Sequence, residues 1–550
     1  MASDQEIAFP ILSPRDISAL ASRGHAREVR AGETLFSAGA RNFCFYVVVE
    51  GAIEILEQSQ ADPRTVAVHH AGHFTGDVDM LTGRAAVVTA RVQEAGRVLE
   101  LNTDELRRAV DELPDLGETI VKAFLVRREM LLSQGLSVVK IIGSRFSPDA
   151  HRLRDFAVRN AIPFRWIDLE TDEQADALLR QFNIPASATP IVLGRDGRWA
   201  SNPTLEGFAH CAGLTIAFED DHVYDLVVVG AGPAGLAASV YAASEGLDVL
   251  TADSLASGGQ AGTSSRIENY LGFPTGISGA DLTRNATLQA QRFGAKISVP
   301  TTVRSLGVDA GDRIVTLTDG TRLRTRCVLV ASGVQYQRLD VPRFAEFEGA
   351  GIYYAATDME ARLCRGEEVV VVGAGNSAGQ AIVYLSKYAR RVHVLVRGDD
   401  LGDSMSRYLV DRILGLENVT VHMRTAVTAL DGDRQLSAVH VAAADGTPHR
   451  FETTSLFLFI GAYANTGWLR GCVELDRKGF VLTGTQLPPG TAELERWQAA
   501  GRVPYLLETS LPGVFAAGDV RSGSVKRVAS AVGEGSMAVS FVHVHIARPA

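Results

Sequence analysis

Hydrophobic and polar residues alternate in short runs over the first quarter of the chain, and this alternation predicts β-strands. The runs include "HAREVRAGETLFSAGA", "CFYVVVEGAIEIL" and "TVAVHHAGHFTGDV", which are separated by glycines. Short alternating strands with frequent turn residues are typical of a small β-barrel or jelly roll. The helical pattern "NTDELRRAVDELPDLGETIVKAFLVRREML" follows, and Asn102 or Thr103 is expected to cap its first helix. We therefore predict a β domain closed by helices over residues 1–133.

The next part of the chain alternates between buried strands and amphipathic helices. The segments "LSVVKIIG" and "PFRWIDLE" predict strands, and "SPDAHRLRDFAVRNA" and "DEQADALLRQFN" predict helices. A hairpin is expected around Asp196–Gly197, followed by a last helix in "LEGFAHCAGL". The order β-α-β-α-β-β-α predicts one α/β domain over residues 135–218.

A strand, a glycine-rich turn, a helix and a second strand follow in "YDLVVVGAGPAGLAASVYAASEGLDVLTAD". The first glycine permits a tight turn, the second lets backbone approach a pyrophosphate, and the third allows the helix to pack on the strand. An acid at the end of the second strand suits a ribose hydroxyl. This Rossmann-like fold predicts a dinucleotide site formed by Gly230, Gly232, Pro233, Ala234, Gly235 and Asp253.

A second copy of this pattern lies in "EVVVVGAGNSAGQAIVYLSKYARRVHVLVRG". Its second strand ends at Arg397 rather than at an acid, which favours the 2′-phosphate of NADPH over NADH. Arg407 is a second candidate, and the alternative is that both arginines are solvated surface residues near Asp399 and Asp400. The residues expected at this site are Gly373, Gly375, Asn376, Ser377, Ala378, Arg397 and Arg407.

Composition narrows the class of protein. At roughly 100–200 residues per domain, 550 residues predict about three to five domains. A net charge of −10 gives no reason to expect nucleic acid or an anionic membrane as a partner. We see no signal peptide and no apolar run long enough to span a membrane, so a cytoplasmic location is expected. The five cysteines form neither C-x-x-C nor a metal-ligand spacing, so we predict reduced thiols and no metal site.

From residue 222 onward the chain resembles the low-molecular-weight thioredoxin reductase family. The segments "GGQAGTSSRIENYLGFPTGISG", "GVFAAGDVRSG" and "VKRVASAVGEGSMAV" carry the resemblance. It implies a homodimer with an FAD domain over residues 222–338 and 458–550, and an NADPH domain over 339–457 that rotates against it. The flavin contacts that it implies, besides the first glycine turn, are Gly259, Gln260, Asn269, Val303, Gly518, Asp519, Arg527 and Val528.

The chain departs from that family where the redox-active Y-C-A-T-C-D motif is expected. Tyr354 and Thr357 stand in place of the two cysteines. Thiol–disulfide exchange needs a thiolate and a resolving thiol, so a self-contained thioredoxin reductase mechanism does not follow. Asp358 remains as a candidate general acid or base near the flavin, or it only caps the next helix. Tyr354 is a candidate for stacking over the flavin face.

The first domain resembles the cyclic nucleotide-binding domain family through "LFSAGARNFCFYVVVEGAIEI" and "FTGDVDMLTGRAAVVTARV". The second segment stands at the family's phosphate-binding cassette. Gly76 and Asp77 match its Gly-Glu pair, and Arg84 is the candidate partner of the cyclic phosphate. The alternative is a degenerate structural or dimerisation module.

The second domain resembles the thioredoxin/glutaredoxin fold, with "ATP" at Ala188–Pro190 in place of that family's cis-proline motif. Its active-site cysteines are missing, because Ser147 and Ala150 stand at their positions in "FSPDA". We therefore expect this domain to be a scaffold or docking module rather than a thiol–disulfide catalyst.

Together these patterns predict a multidomain protein. A β-barrel or jelly-roll cyclic nucleotide-binding-like domain is followed by an α/β thioredoxin-like domain and two Rossmann-like FAD/NAD(P)-binding folds. The leading hypothesis is an FAD-dependent NADPH oxidoreductase that passes hydride from NADPH to FAD and electrons on to an unidentified acceptor, with cyclic nucleotide as a candidate regulator. The alternatives are a ferredoxin-NADP reductase-like enzyme and a second-messenger or redox sensor with a regulatory flavin. The intact second glycine turn favours an enzyme over a sensor.

Overall fold

The structure is a computed structural model that describes most of the chain. None of the helices in the described ranges combines the length and the apolar character needed to cross a bilayer. The described residues are 3–41, 43–57, 64–133, 139–173, 175–194, 198–219, 221–264, 266–309, 311–491 and 495–547.

The first block is an antiparallel β domain flanked by helices. Its elements are α1 (Asp4–Ala8), α2 (Pro14–Ala21), β1 (His25–Val29), β2 (Thr34–Phe36), β3 (Phe45–Glu57), β4 (Arg64–His70), α3 (Asp79–Thr82), β5 (Thr89–Leu101), α4 (Thr103–Glu112) and α5 (Pro114–Ser133). The strand order is β1-β5-β3-β4, with β2 paired to β5. The Asn102 side chain accepts the backbone N–H groups of Asp104 and Glu105 at the start of α4. The predicted β domain and the predicted Asn102 cap are therefore confirmed.

The core of this domain joins its sheet to α5. The rings of Phe45, Phe74 and Phe124 pack against one another with centroids 5.4 to 6.2 Å apart, and all three side chains are fully buried. Burial of one such ring contributes about 1.5–3 kcal/mol to the free energy of unfolding. This cluster therefore fixes α5 against the strands.

The second block is a small α/β unit. Its elements are β6 (Val139–Gly143), α6 (Pro148–Arg159), β7 (Phe164–Asp168), α7 (Ala175–Gln181), β8 (Ile191–Gly194), β9 (Trp199–Ser201) and α8 (Leu205–Cys211). They follow in the order β-α-β-α-β-β-α and form a sheet of order β7-β6-β8-β9. The Thr189–Pro190 peptide bond is cis, and Ser147 caps α6. The turn at Asp196–Gly197 lies outside the described residues, and the resemblance to the thioredoxin fold stays a prediction.

The third block begins with a Rossmann sheet and an antiparallel extension. Its first elements are β10 (Val223–Val229), α9 (Pro233–Ser244), β11 (Val249–Ala252), α10 (Gly279–Arg292), β12 (Lys296–Ser298), β13 (Val303–Asp309), β14 (Asp312–Leu317), β15 (Arg322–Val330) and β16 (Val334–Tyr336). Strands β10, β11 and β12 are parallel neighbours, which buries apolar runs on both faces of the sheet.

A second Rossmann sheet is inserted next. Its elements are α11 (Phe344–Phe347), β17 (Ile352–Tyr353), α12 (Asp358–Leu363), β18 (Glu368–Val372), α13 (Asn376–Leu385), β19 (Arg391–Leu395), α14 (Arg407–Leu414), β20 (Val419–His422), β21 (Thr425–Gly432), β22 (Leu436–Ala443), β23 (Pro448–Glu452) and β24 (Leu456–Leu458). The parallel sheet has the order β17-β24-β18-β19-β20. Strand β24, at Leu456–Leu458, is the last strand of this sheet, and the predicted domain bounds stay a prediction.

The chain then returns to the first Rossmann sheet. The last elements are β25 (Ala462–Ala464), α15 (Glu495–Ala500), β26 (Val514–Ala516) and α16 (Val528–Ile546). Strand β25 pairs with β16 to form a two-stranded connection, and β26 pairs with β15. The first sheet is therefore completed by two segments that are separated by the whole inserted domain.

Candidate functional site

The first glycine-rich turn joins β10 to α9. Gly230 has φ +109°, and a Cβ there would lie 2.2 Å from the Ala331 carbonyl oxygen. A Cβ on Gly235 would lie 1.9 Å from the Gly230 oxygen, so this glycine lets the helix pack on the turn. Gly232 is the N-cap residue of α9, and no side chain caps that helix end. The free N–H groups at this helix start suit a pyrophosphate.

Neighbouring loops complete this cradle. The Asp253 carboxylate follows β11 and accepts the N–H groups of Ala231, Leu255 and Ala256 at 2.8 to 3.1 Å. A Cβ on Gly232 would meet only Gly259 Cα, at 4.0 Å, and Gln260 donates its side-chain amide to the Val334 oxygen at 2.5 Å. The space in front of the N-terminus of α9 is therefore bordered by the glycine backbone at Gly259 rather than by large side chains.

The C-terminal segment meets the same helix. A Cβ on Gly518 would lie 3.0 Å from the Ala234 Cβ, so the Gly518–Asp519 turn contacts the start of α9. Glu534 accepts the Gly518 N–H at 2.8 Å and pairs with Arg521 at 2.5 Å, which holds this turn on α16. Burial raises the pKa of Asp519, and the nearby Lys526 partly opposes that shift.

The remaining predicted flavin residues differ in their position and in their burial. Arg527 is the N-cap of α16 and Val528 its first residue, so both lie at a second helix start near the Gly518 turn. Val303 opens β13 and is partly buried, while Asn269 is exposed. Because two glycine-lined turns and two helix starts converge, the residues present fit an FAD molecule. They would hold its pyrophosphate at α9 and its ribityl chain at Asp519.

The second glycine-rich turn joins β18 to α13. A Cβ on Gly373, which has φ +137°, would lie 2.3 Å from the Phe459 oxygen, whereas a Cβ on Gly375 would meet nothing within 4 Å. Asn376 accepts the Ser406 N–H at 2.6 Å through Oδ1, and its buried Nδ2 has no hydrogen-bond partner among the described residues. Ser377 follows in the first turn of α13, and Ala378 is fully buried. The open helix start and the unpaired amide fit the pyrophosphate of a second dinucleotide.

The two predicted 2′-phosphate arginines differ in their surroundings. Arg397 follows β19, is exposed, and forms no ion pair within the described ranges. Arg407 begins α14 and pairs with Asp411 at 2.9 Å, with 86% of its side chain exposed. Arg397 is therefore the better placed partner for a phosphate.

The segment at the missing dithiol packs away from solvent. Tyr354 stacks on Tyr336, with ring centroids 5.4 Å apart and planes 5° apart, and donates its hydroxyl to Glu348 at 2.5 Å. Thr357 donates its hydroxyl to Glu360. The aromatic partner of Tyr354 is thus Tyr336, two residues after Val334, whose backbone oxygen accepts the Gln260 amide.

Asp358 lies in a different environment. Its carboxylate is 59% exposed, pairs with Arg362 on the same helix at 2.7 Å, and accepts the Tyr384 hydroxyl at 3.3 Å. The structure does not bring Asp358 together with the predicted flavin residues. Asp358 is the first residue of α12 and not its N-cap, so the structure does not confirm the capping alternative either.

A contact that the sequence did not predict places α6 of the second block on the third block. Its first turn, with Pro148 and His151, lies 3.5 Å from the Cβ position of Gly349, and the His151 ring is 5.5 Å from the Tyr353 ring. At its end, Arg159 donates to the Gly259 oxygen at 3.1 Å. The start of α6 thus contacts the segment that runs from Gly349 to Tyr353.

The cysteines that are present do not supply another redox-active pair. Cys327 and Cys364 are buried, and burial raises their thiol pKa to about 12 and about 11. Such thiols stay protonated at neutral pH and are poor nucleophiles. No disulfide joins the cysteines of the described chain, and no group of three or more His, Cys, Asp or Glu side chains there could hold a metal ion.

In the first domain, the structure separates the predicted cassette residues. Gly76 and Asp77 line one cavity, together with Arg127 of α5. Arg84 lines another cavity, between the first and second blocks, and donates to the Asn160 oxygen at 3.2 Å. Sequence reasoning missed Arg127, because nothing in its helical segment marks one arginine as inward-facing.

Comparison with known proteins gives two family matches. The model described as "Pyridine nucleotide-disulphide oxidoreductase" matches residues 224–535, which is more than half of the chain. The model described as "Cyclic nucleotide-binding domain" matches residues 26–112. The two matches coincide with the third and the first blocks of elements.

Several thioredoxin reductases are similar to this chain over somewhat more than half of its length. NADPH-dependent thioredoxin reductase 3 of Arabidopsis thaliana is 35% identical over 324 residues, which are 58% of this chain and 57% of that protein. Thioredoxin reductase of Treponema pallidum is 32% identical over 317 residues, 57% of this chain and 94% of that protein. The solved structure of T. acidophilum thioredoxin reductase is 30% identical with a TM-score of 0.52, and the match covers 60% of this chain and 100% of that one.

Proposed function

The chain belongs to the pyridine nucleotide-disulphide oxidoreductase family, and on that premise we propose that it is an FAD-dependent NADPH oxidoreductase of the thioredoxin reductase type whose electrons leave without an internal dithiol. One observation carries the proposal. The helix starts at Gly232 and Gly375 are both open for a pyrophosphate, while Tyr354 and Thr357 occupy the dithiol segment. Binding of both dinucleotides is thus retained where thiol relay is lost.

The roles of the residues follow from their positions. The α9 start and the Gly518–Asp519 turn would hold FAD, which when bound supplies two-electron chemistry between NADPH and an acceptor. The α13 start would bind the NADPH pyrophosphate, and Arg397 its 2′-phosphate. Arg412 of α14 pairs with Glu268 at 2.8 Å, which ties the NADPH-binding sheet to the loop that carries Asn269. This tie supports an arrangement in which NADPH bound at α13 faces the flavin loops.

The packing of α6 restricts which electron acceptors can reach the flavin. Because α6 covers the segment around Gly349 and Tyr353, a protein acceptor cannot dock there without displacing it. This favours oxygen, a quinone or a small disulfide over thioredoxin or a ferredoxin-like protein. The ferredoxin-NADP reductase-like alternative is therefore less well supported.

Anaerobic flavin reduction followed by an acceptor panel tests the proposal. The purified protein is expected to be yellow, and NADPH is expected to bleach it in the absence of oxygen. Oxygen, a quinone, ferredoxin, thioredoxin and an aromatic disulfide are then added separately, and reoxidation is followed by absorbance. A colourless protein that FAD cannot reconstitute would contradict the proposal. A flavin that NADPH reduces but no acceptor reoxidises would favour the sensor alternative.

A second proposal concerns regulation. The match to the cyclic nucleotide-binding domain and the cavity lined by Gly76 and Asp77 support control of the reductase by a small molecule, with cyclic nucleotide as one candidate. We also propose a cytoplasmic homodimer, in line with the family resemblance. Turnover with and without cAMP or cGMP tests the first point, and light scattering of the purified protein tests the oligomeric state.

A further inference from the structure

A cavity of about 800 Å³ lies inside the first domain, between its strands and α5. The helix α1 and Phe9 border it on one side. Most of its wall is apolar, with side chains that include Phe36, Phe43, Ile55, Val66, Val68 and Val87. A cavity of this size and character can accommodate a small organic molecule.

Three buried side chains that line this cavity each have one polar atom without a hydrogen-bond partner among the described residues. These atoms are Arg127 Nη2, Asp77 Oδ2 and His69 Nδ1, on residues that are 6%, 8% and 2% exposed. An unsatisfied buried polar group costs about 1–3 kcal/mol, so folded proteins rarely tolerate it. Three such atoms around one apolar cavity indicate that a ligand with polar groups belongs there.

Arg127 is the cation of this set, and its geometry is fixed. Its guanidinium lies 4.5 Å from the Phe74 ring centroid and 5.3 Å from that of Phe9. Nε donates to the Ala8 oxygen at 2.7 Å, and Nη1 donates to the Gly76 oxygen at 2.8 Å. Nη2 is the guanidinium nitrogen that has no hydrogen-bond partner among the described residues. Burial lowers the pKa of Arg127 to about 9, and the nearby Asp77 carboxylate partly opposes that shift. In the described chain no carboxylate lies within 4.0 Å of this guanidinium, and a preoriented donor that no carboxylate contacts directly suits one negative charge on a ligand.

The other two polar groups suit a hydroxyl or amide on the same ligand. Burial and the neighbouring Asp79 raise the pKa of Asp77 to about 7, and its Oδ2 lies 3.7 Å from Arg128 Nη1. Burial keeps the pKa of His69 well below its usual value, so this ring is neutral at pH 7. Neither group adds a positive charge, and Arg84 lines the separate cavity of about 580 Å³ next to the second block. Ser3, Gln5, Glu6, His70 and His73 also line the cavity, mainly on the side of α1 and at or after the end of β4. Arg127 is the one arginine or lysine among the described lining residues, and it lies beside the apolar part of the wall.

We propose that this cavity binds an organic carboxylate with an apolar body, whose carboxylate accepts a hydrogen bond from Arg127 Nη2. This ligand class differs from a cyclic nucleotide. A cyclic nucleotide would place a ribose and a polar base against the apolar wall, and its phosphate would lack the cassette arginine. The proposal does not depend on the reductase reaction.

Calorimetric titration of the whole 550-residue chain tests whether the cavity binds an organic carboxylate. Decanoate and indole-3-acetate are the carboxylate probes, decan-1-ol is the neutral match of decanoate, and cAMP and cGMP are the cyclic nucleotide probes. At least one carboxylate is expected to bind about tenfold or more tightly than decan-1-ol, the difference of one charged contact. No heat with either carboxylate, equal binding of decanoate and decan-1-ol, or tighter binding of a cyclic nucleotide would each overturn the proposal.

Two variants test whether Arg127 contacts the ligand carboxylate. Arg127→Lys keeps a buried cation but removes the guanidinium geometry, and it is expected to weaken carboxylate binding about tenfold. Arg84→Ala is the matched control and is expected to leave carboxylate binding unchanged. Loss of binding in Arg84→Ala with retention in Arg127→Lys would overturn the assignment. If Arg127→Lys fails to fold, the comparison of decanoate with decan-1-ol on the natural chain decides the matter.

Discussion

Arg397 is the residue on which the choice of NADPH over NADH depends. It is exposed at the end of β19 and forms no ion pair within the described ranges, so its guanidinium is available to a 2′-phosphate. Arg397→Ala is expected to raise the KM for NADPH about tenfold, the effect of roughly 1.4 kcal/mol, and to leave the KM for NADH unchanged. Initial rates of flavin reduction at varied nucleotide concentration measure both constants.

Arg407→Ala serves as the control for this prediction. Arg407 already pairs with Asp411 at 2.9 Å, so its removal is expected to change the KM for NADPH much less. Equal increases for NADPH and NADH in Arg397→Ala would show that this arginine does not contact the 2′-phosphate.

The cysteines provide the second test at the scale of residues. Cys327 and Cys364 are buried with raised thiol pKa values, and the dithiol positions hold Tyr354 and Thr357. A variant with all five cysteines replaced by alanine or serine is therefore expected to keep its rate of anaerobic flavin reduction and its turnover with the best acceptor. Stopped-flow absorbance measures the first rate. Loss of turnover with an intact flavin spectrum would mean that a thiol carries electrons after all.

At the scale of elements, two glycines at the start of α13 have different roles, one in nucleotide binding and one in folding. A Cβ on Gly375 would enter open space, whereas a Cβ on Gly373 would lie 2.3 Å from the Phe459 oxygen. Gly375→Ala is expected to fold with normal flavin content but to bind NADPH at least about tenfold more weakly, because the added methyl group would meet the pyrophosphate. Flavin absorbance and NADPH titration measure the two properties.

Gly373→Ala is the matched variant for this helix start. Its φ of +137° and the close carbonyl make it strained, so we expect a loss of roughly 1–3 kcal/mol in the free energy of unfolding of that domain. Thermal unfolding monitored by circular dichroism measures this loss. A normal Tm for Gly373→Ala, or loss of flavin from Gly375→Ala, would contradict the roles given to the two glycines.

At the scale of the whole molecule, α6 joins the second block to the reductase part. Asn160, directly after α6, donates its side-chain amide to the Leu255 oxygen at 3.0 Å, and it is almost fully buried. Asn160→Ala is expected to cost about 1–3 kcal/mol, because it removes two side-chain hydrogen bonds, to the Phe156 and Leu255 oxygens. Hydrogen exchange of the 255–263 and 349–360 segments is therefore expected to become faster in this variant.

Arg152→Ala is the control for this interface. Arg152 lies on the same helix, but its guanidinium binds Asn202 and the Pro203 oxygen within the second block. It is expected to leave exchange in the two reductase segments unchanged. Equal exchange in the natural chain and in Asn160→Ala would mean that this contact does not hold the blocks together.

Much of the cofactor site could be predicted because its requirements are local. Gly230 and Gly373 adopt backbone angles that few other residues accept, and each stands at a fixed spacing from a strand and a helix. The residues at positions 354 and 357 are also read directly from the sequence, and neither is a cysteine. The cap at Asn102 likewise depends only on its neighbours along the chain.

The remaining features depend on contacts between residues that are far apart along the chain. Arg84 and Arg127 both lie in the first domain, yet only the packing of α5 against the strands decides which of them lines the cavity with Asp77. The contact of His151 with Tyr353 joins positions about 200 residues apart, and no local pattern encodes it. Local backbone preference was therefore sufficient to indicate two dinucleotide sites. Long-range packing alone decided which cation lines the cavity and what covers the segment around Gly349 and Tyr353.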